Sequence, residues 1–248
     1  NVRNIAAGSV PNAVIDKAVV HLNNEDQAFI SYLKDKNVNF KTAGKKSVIF
    51  YGKSAHGSTP ELGINSGIIA LKELANFYQV EKLANLVDKI SDTTGKAFDS
   101  YSESENLGAT TFNIGVYNYK NNKLTYITNF RHPENVNVKD MVKNMDKVLS
   151  TRTRIISSCS YLLYDKNSEL VKNLMKAYQN ETGDYVSKPL YLGGGTYAKD
   201  ARNTVAFGAT FPNENTHMHE PNEFVDIEHL HQCVSIYAHA IYLLGKSK

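Results

Sequence analysis

Two runs of alternating residues joined by a short polar turn constrain the fold of this chain more than any other feature. Residues 111–119 and 123–131 each alternate in side-chain polarity, and Lys120-Asn121-Asn122 lies between them. A period of two is typical of strands, and a short turn between two such runs indicates a hairpin. The pattern therefore predicts an antiparallel β-sheet built around these residues.

The residues before and after the hairpin predict the other elements of one domain. Strands are expected at 3–7, 13–21, 46–52 and 153–164, and helices from about 24 and over 63–79, 81–91 and 137–149. The 63–79 segment has an apolar face typical of an amphipathic helix, made of Ile64, Ile68, Leu71, Leu74, Ala75 and Tyr78. The order predicts an α+β domain, residues 1–160, with two helices packed on one face of an antiparallel sheet.

The remainder of the chain, residues 161–248, predicts only part of a domain. It contains expected helices at 167–180 and 226–244, a glycine loop at 193–198 and a short buried strand at 205–208. The last helix has an apolar stripe made of Ile227, Leu230, Val234, Tyr237, Ile241 and Leu244. Because short strands need neighbours to complete their hydrogen bonds, this region is expected to need strands that it does not supply.

Composition narrows the classes of function. The 248 residues are 42% hydrophobic with a net charge of +3, and no Lys/Arg run interleaves with aromatics, which argues against nucleic-acid binding. No stretch approaches the roughly 18 apolar residues of a membrane span. Cys159 and Cys233 lack metal-site spacing, so two reduced thiols in a cytoplasmic protein are expected, with a disulfide between them as the alternative. The chain begins at Asn1 rather than Met, so we expect a processed protein or part of a longer one.

Three polar residues stand where strands and turns meet. His56 follows a strand and precedes a glycine-proline turn, which puts it on a loop, as a functional group or as a capping histidine. Arg131 ends the hairpin and either lies in solvent or binds a carboxylate through its guanidinium fork. Asn12 precedes a predicted strand and could equally form an Asx turn or contact a ligand.

The glycine run and the histidines that follow it suggest a second site. Gly193, Gly194 and Gly195 leave backbone amides open to a ligand, with phosphate as the weaker option because no P-loop pattern is present. His219, beside acidic residues, is a candidate metal ligand. A rival mononuclear site would use His217, His219, His229 and His231. It is disfavoured, because helix positions two apart point in different directions.

Taken in order, these motifs resemble a known family. The strings Gly193-Gly194-Gly195-Thr196-Tyr197-Ala198, Val205-Ala206-Phe207-Gly208 and His219-x-x-Asn222-Glu223 are similar to the C-terminal end of co-catalytic zinc aminopeptidases and dipeptidases of the aminoacylase-like family. PepV-type bacterial dipeptidases are the most similar group within it. The string from Ala55 to Pro60, followed by Gly63-Ile64-Asn65-Ser66-Gly67, resembles the lid domain of the same family.

The resemblance implies roles for individual residues. His56 corresponds to a lid histidine that donates a hydrogen bond to the oxyanion, and Arg131, in an R-x-P string, to the arginine that binds the substrate carboxylate. Asn12 corresponds to a lid asparagine, although Pro11 and Ile15 replace the family's aromatic and proline. The residues implied to contact the substrate's C-terminal end are Gly193, Gly194, Gly195 and Thr196. The implied cofactor is a pair of zinc ions, or manganese, with His219 as one ligand and Glu223 orienting the site.

The family's N-terminal zinc-binding half has no counterpart in this sequence, since neither an H-x-D string nor adjacent glutamates occur. One histidine cannot hold two zinc ions, which need about three protein ligands each. We therefore expect residues 1–160 to be a lid inserted in an α/β zinc-peptidase catalytic domain, and residues 161–248 to be the C-terminal part of that domain. The parent protein would be a di-zinc dipeptidase.

This chain by itself is expected to be inactive. The missing N-terminal half or another chain is expected to cover residues 161–248. Dipeptides and N-acyl amino acids fit as substrates, with no nucleic-acid or membrane partner. The alternative is a non-enzymatic truncated paralogue that acts as a carboxylate-binding or dimerisation module.

Overall fold

The predicted hairpin forms two strands of a six-stranded antiparallel sheet. In the computed structural model, which describes residues 1–190, 195–208, 210–217 and 222–246, the strand order is β3-β4-β2-β1-β7-β8. These strands are β1 (Val2–Ala7), β2 (Lys17–Leu22), β3 (Phe40–Thr42), β4 (Ser47–Tyr51), β7 (Thr111–Lys120) and β8 (Lys123–Arg131). Two short strands, β5 (Glu103–Ser104) and β6 (Gly108–Ala109), pair separately. The expected antiparallel sheet is confirmed.

Four helices accompany this sheet. They are α1 (Gln27–Asp35), α2 (Ser66–Phe77), α3 (Glu81–Ile90) and α4 (Val138–Leu149). Burial alternates along β2, where Ala18, Val20 and Leu22 are buried while the residues between them are half-exposed. Every helix contributes buried side chains to one core with the strands, including Phe29, Leu33, Leu71, Leu74, Val87, Ile90, Met141 and Met145. Each such side chain contributes about 1.5–3 kcal/mol when fully buried, so the core is the main source of stability.

Capping side chains mark the starts of α1 and α4, and the helix expected from about 24 begins at Gln27. Asp26 accepts a hydrogen bond from the Phe29 amide at the start of α1. Asn137 does the same for the Lys139 amide at the start of α4. These side chains satisfy backbone donors that have no partner within the helix, which fixes where each helix begins.

Two details of the predicted domain are wrong. The strand expected at 13–21 is confined to Lys17–Leu22, because Ala13 pairs instead with His56 in an isolated bridge. Ile64, expected on the buried face of α2, precedes that helix and is 52% exposed. Its backbone pairs with Lys53, so it belongs to a loop and not to the helix.

The chain divides into two units, Asn1–Ile156 and Ser157–Lys248. The second unit contains α5 (Glu169–Thr182) and α6 (Ile227–Lys246), which pack through Leu174, Ala177 and Ala240. No helix in the described part of the chain is long and apolar enough to cross a membrane. Cys159 and Cys233 are not joined by a disulfide, so the alternative of a disulfide between them is wrong.

Two strands predicted near or within this second unit do not form in the described structure. Residues 153–164 and 205–208 have no regular secondary structure, and Ile156 is 66% exposed. A strand needs a neighbouring ladder, and the described residues offer none at either place. Val205 and Phe207 instead pack against α5 and α6.

Most of the predicted apolar stripe of α6 is exposed, although Tyr237 contacts Phe207 and Leu244 packs in the core between α5 and α6. Leu230, Val234 and Ile241 are 47%, 64% and 73% exposed, whereas Cys233 and Ile236 are buried. The helix is apolar on two sides. The side that contacts α5 is mainly not the one that the apolar periodicity predicted to be buried. The second unit therefore presents an apolar helix face that no described residue of that unit covers.

Candidate functional site

Asn12 and His56, predicted as site residues from distant motifs, lie side by side in the first unit. The amide of Gly57 donates to the carbonyl of Asn12 at 2.7 Å, and the amide of Val14 donates to the carbonyl of Ala55 at 2.9 Å. These bonds flank the antiparallel bridge between Ala13 and His56. Because the Val14 amide is bonded to Ala55, it is not available to close an Asx turn on Asn12.

The glycines of the histidine motif allow this close approach. A Cβ on Gly57 would lie 2.9 Å from the carbonyl oxygen of Asn12, and one on Gly52 would lie 2.0 Å from the carbonyl oxygen of Ile64. On Gly63 it would lie 2.9 Å from the side chain of Val14. Such separations are too short for a side chain, so glycine is required at each crossing. The motif thus builds the loop that carries His56.

The asparagine and serine that end the motif attach this loop to the sheet. Asn65 caps α2 by accepting from the Gly67 and Ile68 amides, and its Nδ2 donates to the carbonyl of Ile114 in β7 at 2.9 Å. Ser66 is fully buried, and its Oγ donates to the carbonyl of Ile15 at 3.0 Å. The loop is therefore held at its C-terminal end by groups that point back into the core.

The hydrogen bonds of His56 determine which ring nitrogen carries the proton. Nδ1 accepts from the backbone amide of Ser58 at 3.3 Å and lies 2.7 Å from Ser58 Oγ. A backbone amide can only donate, so Nδ1 is the acceptor, and the neutral ring carries its proton on Nε2. The half-exposed His56 thus has Nε2–H as its donor.

Arg131 lies at the end of β8 among polar residues of the hairpin. It pairs across the strands with Thr111, and Asn129 pairs with Asn113 two residues further along. Residues two apart in a strand share a face, so these four residues lie on one face of the hairpin. We refer to Thr111, Asn113, Asn129 and Arg131 as the polar quartet.

Asn113 connects the polar quartet to the Asn12 loop. Its side chain is 2% exposed, and its Nδ2 donates to the carbonyl oxygens of Pro11 and Ala13 at 2.8 and 2.9 Å. The loop at Asn12 therefore lies against the quartet, and the structure brings Asn12, His56 and Arg131 into one region. The sequence motifs gave no role to Asn113. Its polarity between Phe112 and Ile114 was the available signal.

Two buried oxygens in the quartet have no hydrogen-bond partner among the described residues. They are Thr111 Oγ1 and Asn129 Oδ1, beside Arg131, whose Nε is also buried. A buried oxygen left without a partner costs about 1–3 kcal/mol and is uncommon in folded proteins. Thr111 Oγ1 could donate to a polar ligand and Asn129 Oδ1 could accept from one, so together with the Arg131 guanidinium they make the quartet a candidate binding site for a polar ligand.

The remaining predicted site residues belong to the second unit. Gly195 and Thr196 are exposed, and Thr196 is extended before a short 3-10 turn, Tyr197–Asp200. Gly193, Gly194 and His219 lie outside the described residues. The contacts predicted for the glycine loop, and the phosphate alternative, stay predictions.

Two histidines of the rival mononuclear site, His217 and His229, have other contacts. His229 Nδ1 lies 3.0 Å from Glu214 Oε1, and the ring of Phe211 is 4.5 Å from that of His229. The hydrogen bond raises the pKa of His229 and lowers the pKa of Glu214. His217 lies against the ring of Phe224.

A metal centre requires several His, Cys, Asp or Glu side chains close together. Within the described ranges, no three His, Cys, Asp or Glu side chains come together as metal ligands. The described residues therefore do not fit a zinc pair, and they do not fit the rival histidine site. The one predicted ligand, His219, lies outside these ranges.

Comparison with known proteins gives the family. The family model described as Peptidase family M20/M25/M40 matches residues 100–243, more than half of the sequence. The chain therefore belongs to peptidase family M20/M25/M40. This confirms the family predicted from the motifs, while the roles of individual residues stay predictions.

Several bacterial proteins are similar along most of the chain. A Staphylococcus epidermidis protein with the curated name "Putative dipeptidase" is 30% identical over 95% of this chain and 53% of its own length. A similarly named protein of Staphylococcus saprophyticus is 28% identical over 98% of this chain and 55% of its own. One from Staphylococcus aureus is 32% identical over 78% and 43%. The chain spans about half the length of the curated relatives it matches.

Proposed function

We propose that the full-length protein carrying this chain is a dipeptidase that hydrolyses small peptides with a free C-terminal carboxylate. The observation that carries the proposal is the joining of Asn12, His56 and Arg131 in the first unit. A donor, an amide and a guanidinium in one region suit a short substrate with a carbonyl at one end and a carboxylate at the other. The family and the names of its relatives support the same reaction class.

His56 is assigned the role of oxyanion donor. Its Nε2–H, fixed by the acceptor role of Nδ1, would donate to the carbonyl oxygen as negative charge develops there. One such donor is worth roughly 10²–10³ in turnover, because it is strongest in the transition state. Asn12, adjacent through the bridge, would contact the same end of the substrate.

Arg131 is assigned the carboxylate end of the substrate. A guanidinium binds a carboxylate with two parallel hydrogen bonds, which fixes orientation as well as position. Thr111 Oγ1 and Asn129 Oδ1 lie beside it and could contact the ligand's neighbouring groups. In the second unit, Gly195 and Thr196, with Gly193 and Gly194, are proposed to contact the substrate's C-terminal end.

The hydrolytic metal is expected to be a zinc pair, or manganese, in the full-length protein. Since the described residues do not form such a site, the ligands besides His219 must come from outside this chain's described part. We assign no chemical step to the metal here. These 248 residues alone are accordingly expected to be inactive as a peptidase.

The exposed apolar face of α6 suggests what the second unit lacks. Val234 and Ile241 are mostly exposed. Large apolar surfaces of this kind are usually covered in a functional protein. We propose that the N-terminal half of the catalytic domain, or another chain, covers them. The cytoplasm is the proposed location.

The second candidate is a non-enzymatic carboxylate-binding or dimerisation module. The specific observation in its favour is that the described residues hold no cluster of metal ligands while the polar quartet is complete. Both candidates use Arg131, so carboxylate binding does not separate them. Turnover by the full-length protein does.

The test is peptide hydrolysis by the full-length natural protein supplied with zinc or manganese. The His56→Ala variant should lower kcat by roughly 10²–10³ with a small change in KM. His21→Ala is the matched control, because His21 lies on the sheet with Ser47 as its partner. Lack of dipeptide hydrolysis by the wild type would favour the binding module, and an unchanged kcat in His56→Ala would remove its oxyanion role.

Arg131 is tested by changing the substrate as well as the residue. Arg131→Lys keeps the charge but loses the fork, so it should weaken binding of a dipeptide and have little effect on its C-terminally amidated form. Arg154→Lys, at an exposed position outside the quartet, is the matched control. An equal loss on both substrates would mean that Arg131 has a structural role.

A further inference from the structure

Asn113 makes the contact that joins the two halves of the candidate site. Its amide nitrogen carries two hydrogens. One is donated to the carbonyl oxygen of Pro11, which precedes Asn12, and the other to that of Ala13, which follows Asn12. The bonds are 2.8 and 2.9 Å long, and the side chain is 2% exposed. Both donors of the amide nitrogen are therefore used to hold one tripeptide.

The chemistry of these two bonds restricts which residue can make them. Two backbone carbonyls need two hydrogens from one short side chain, and only an amide of this length supplies them. Aspartate has the same shape but would set acceptors against the carbonyls of Pro11 and Ala13. Serine could satisfy only one of the two. Asn113 is thus specific for this arrangement and not simply a polar residue in a strand.

The Asn12 loop rests on β7 at a second point nearby, which contributes no side chain. A Cβ on Gly115 would lie 2.3 Å from the carbonyl oxygen of Pro11, and a Cβ on Gly8 would lie 1.9 Å from that of Gly115. These glycines permit close approach of the two segments but do not hold the loop. The directed bonds to the tripeptide centred on Asn12 come from Asn113 on β7 and from Gly57 beside His56.

We propose that Asn113 is a positioning residue that holds Asn12, and through the Ala13–His56 bridge the histidine loop, in register with Arg131. The proposal rests on the proposed peptidase function. Asn113 and Arg131 are on the same face of one hairpin, so the two bonds transfer the rigidity of the sheet to the loop. Both hydrogens of the Asn113 amide are used on the loop, so Asn113 acts through Asn12.

A double-mutant cycle in the full-length protein tests this mechanism. Asn113→Asp should lower kcat for a dipeptide about ten- to a hundredfold in the wild-type background. In the Asn12→Ala background it should lower kcat less than about threefold, because the residue it positions is gone. Asn118→Asp makes the same change at an exposed position of β7 and should leave kcat unchanged. An equal loss with and without Asn12 would overturn the proposal.

A second readout does not depend on activity. In Asn113→Asp, hydrogen exchange at the Val14 and Gly57 amides should become faster, while exchange in β2 should not change. If Asn113→Asp does not fold, Asn113→Ser, which keeps one donor, should give a smaller change in the same direction. Unchanged exchange at Val14 and Gly57 would refute the proposal. If the wild type hydrolyses no peptide, the proposed function fails, and the exchange result still decides whether Asn113 holds the loop.

Discussion

Asn65 has two structural roles that can be separated by mutation. Its Oδ1 caps α2 by accepting from the Gly67 and Ile68 amides, and its Nδ2 donates to the carbonyl of Ile114. Asn65→Ala removes both, whereas Asn65→Asp keeps a good capping acceptor and removes the donor. The two variants therefore measure the cap and the link to the sheet independently.

The expected losses follow from these contacts. Removing an asparagine cap costs about 1 kcal/mol, within a range of about 0.5–2. Leaving the Ile114 carbonyl without its donor costs about 1–3 kcal/mol, since Ile114 is only 7% exposed. Asn65→Ala should thus lower the free energy of unfolding by about 2–4 kcal/mol, and Asn65→Asp by about 1–3 kcal/mol.

Asn137 provides the matched control. It caps α4 through one bond to the Lys139 amide, and no bond from its Nδ2 to another described residue is seen. Asn137→Ala should therefore lose only about 1 kcal/mol, and Asn137→Asp should be close to neutral. Urea unfolding followed by circular dichroism measures the four variants, with hydrogen exchange in β2 to assign the transition to the first unit.

The reasoning would be refuted by equal effects at the two asparagines. If Asn65→Asp were as harmless as Asn137→Asp, the bond to Ile114 would contribute nothing to stability. If Asn65→Asp were as damaging as Asn65→Ala, either the cap would be unimportant or repulsion between the new carboxylate and the Ile114 carbonyl would offset it. Only an intermediate Asn65→Asp, with a neutral Asn137→Asp, supports both roles.

Three further predictions concern the second unit and its metal. The bond between Glu214 and His229 lowers the pKa of Glu214 below its ordinary value of 4.5 and raises the pKa of His229 above its ordinary value of 6.5. Its contribution to the free energy of unfolding is therefore complete between pH 4.5 and pH 6.5. That contribution is lost as the pH falls through the lowered pKa of Glu214 or rises through the raised pKa of His229. The free energy of unfolding of Glu214→Gln, measured as a function of pH, should therefore lack this added stability between the two pKa values. The 248-residue chain should hold zinc weakly and below one equivalent after dialysis, and two tightly held ions per chain would contradict this. Amides of α6 near Val234 should exchange faster in this chain than in the full-length protein, and equal protection would mean that no partner covers that face.

Local chemistry made much of the first unit predictable from the sequence. The hairpin was recognisable because its turn and alternation lie within one short segment. The start of α4 was predicted to within one residue, because its cap Asn137 acts on an amide two residues away, whereas α1 begins three residues after the expected start at Asn24. Such signals depend on neighbours in the sequence, so no knowledge of the tertiary structure was needed.

The features that were missed depend on distant contacts. Residues 153–164 have the composition of a strand, but a strand exists only where another offers a ladder. Both sides of α6 are apolar, so the side that is buried depends on where α5 packs, which the sequence of α6 does not indicate. Asn113 acts on residues 102 and 100 positions away, so its role is invisible in any local pattern.

The two candidate functions both require a ligand site in the first unit, but only the peptidase also requires a metal site in the rest of the protein. A binding module needs only the polar quartet and the loop that Asn113 holds. The Nε2–H of His56 could donate to a bound carboxylate as well as to a developing oxyanion, but only the proposed oxyanion bond would strengthen in the transition state. The position of His56 beside Asn12 therefore fits either candidate, and the kcat of His56→Ala decides between them.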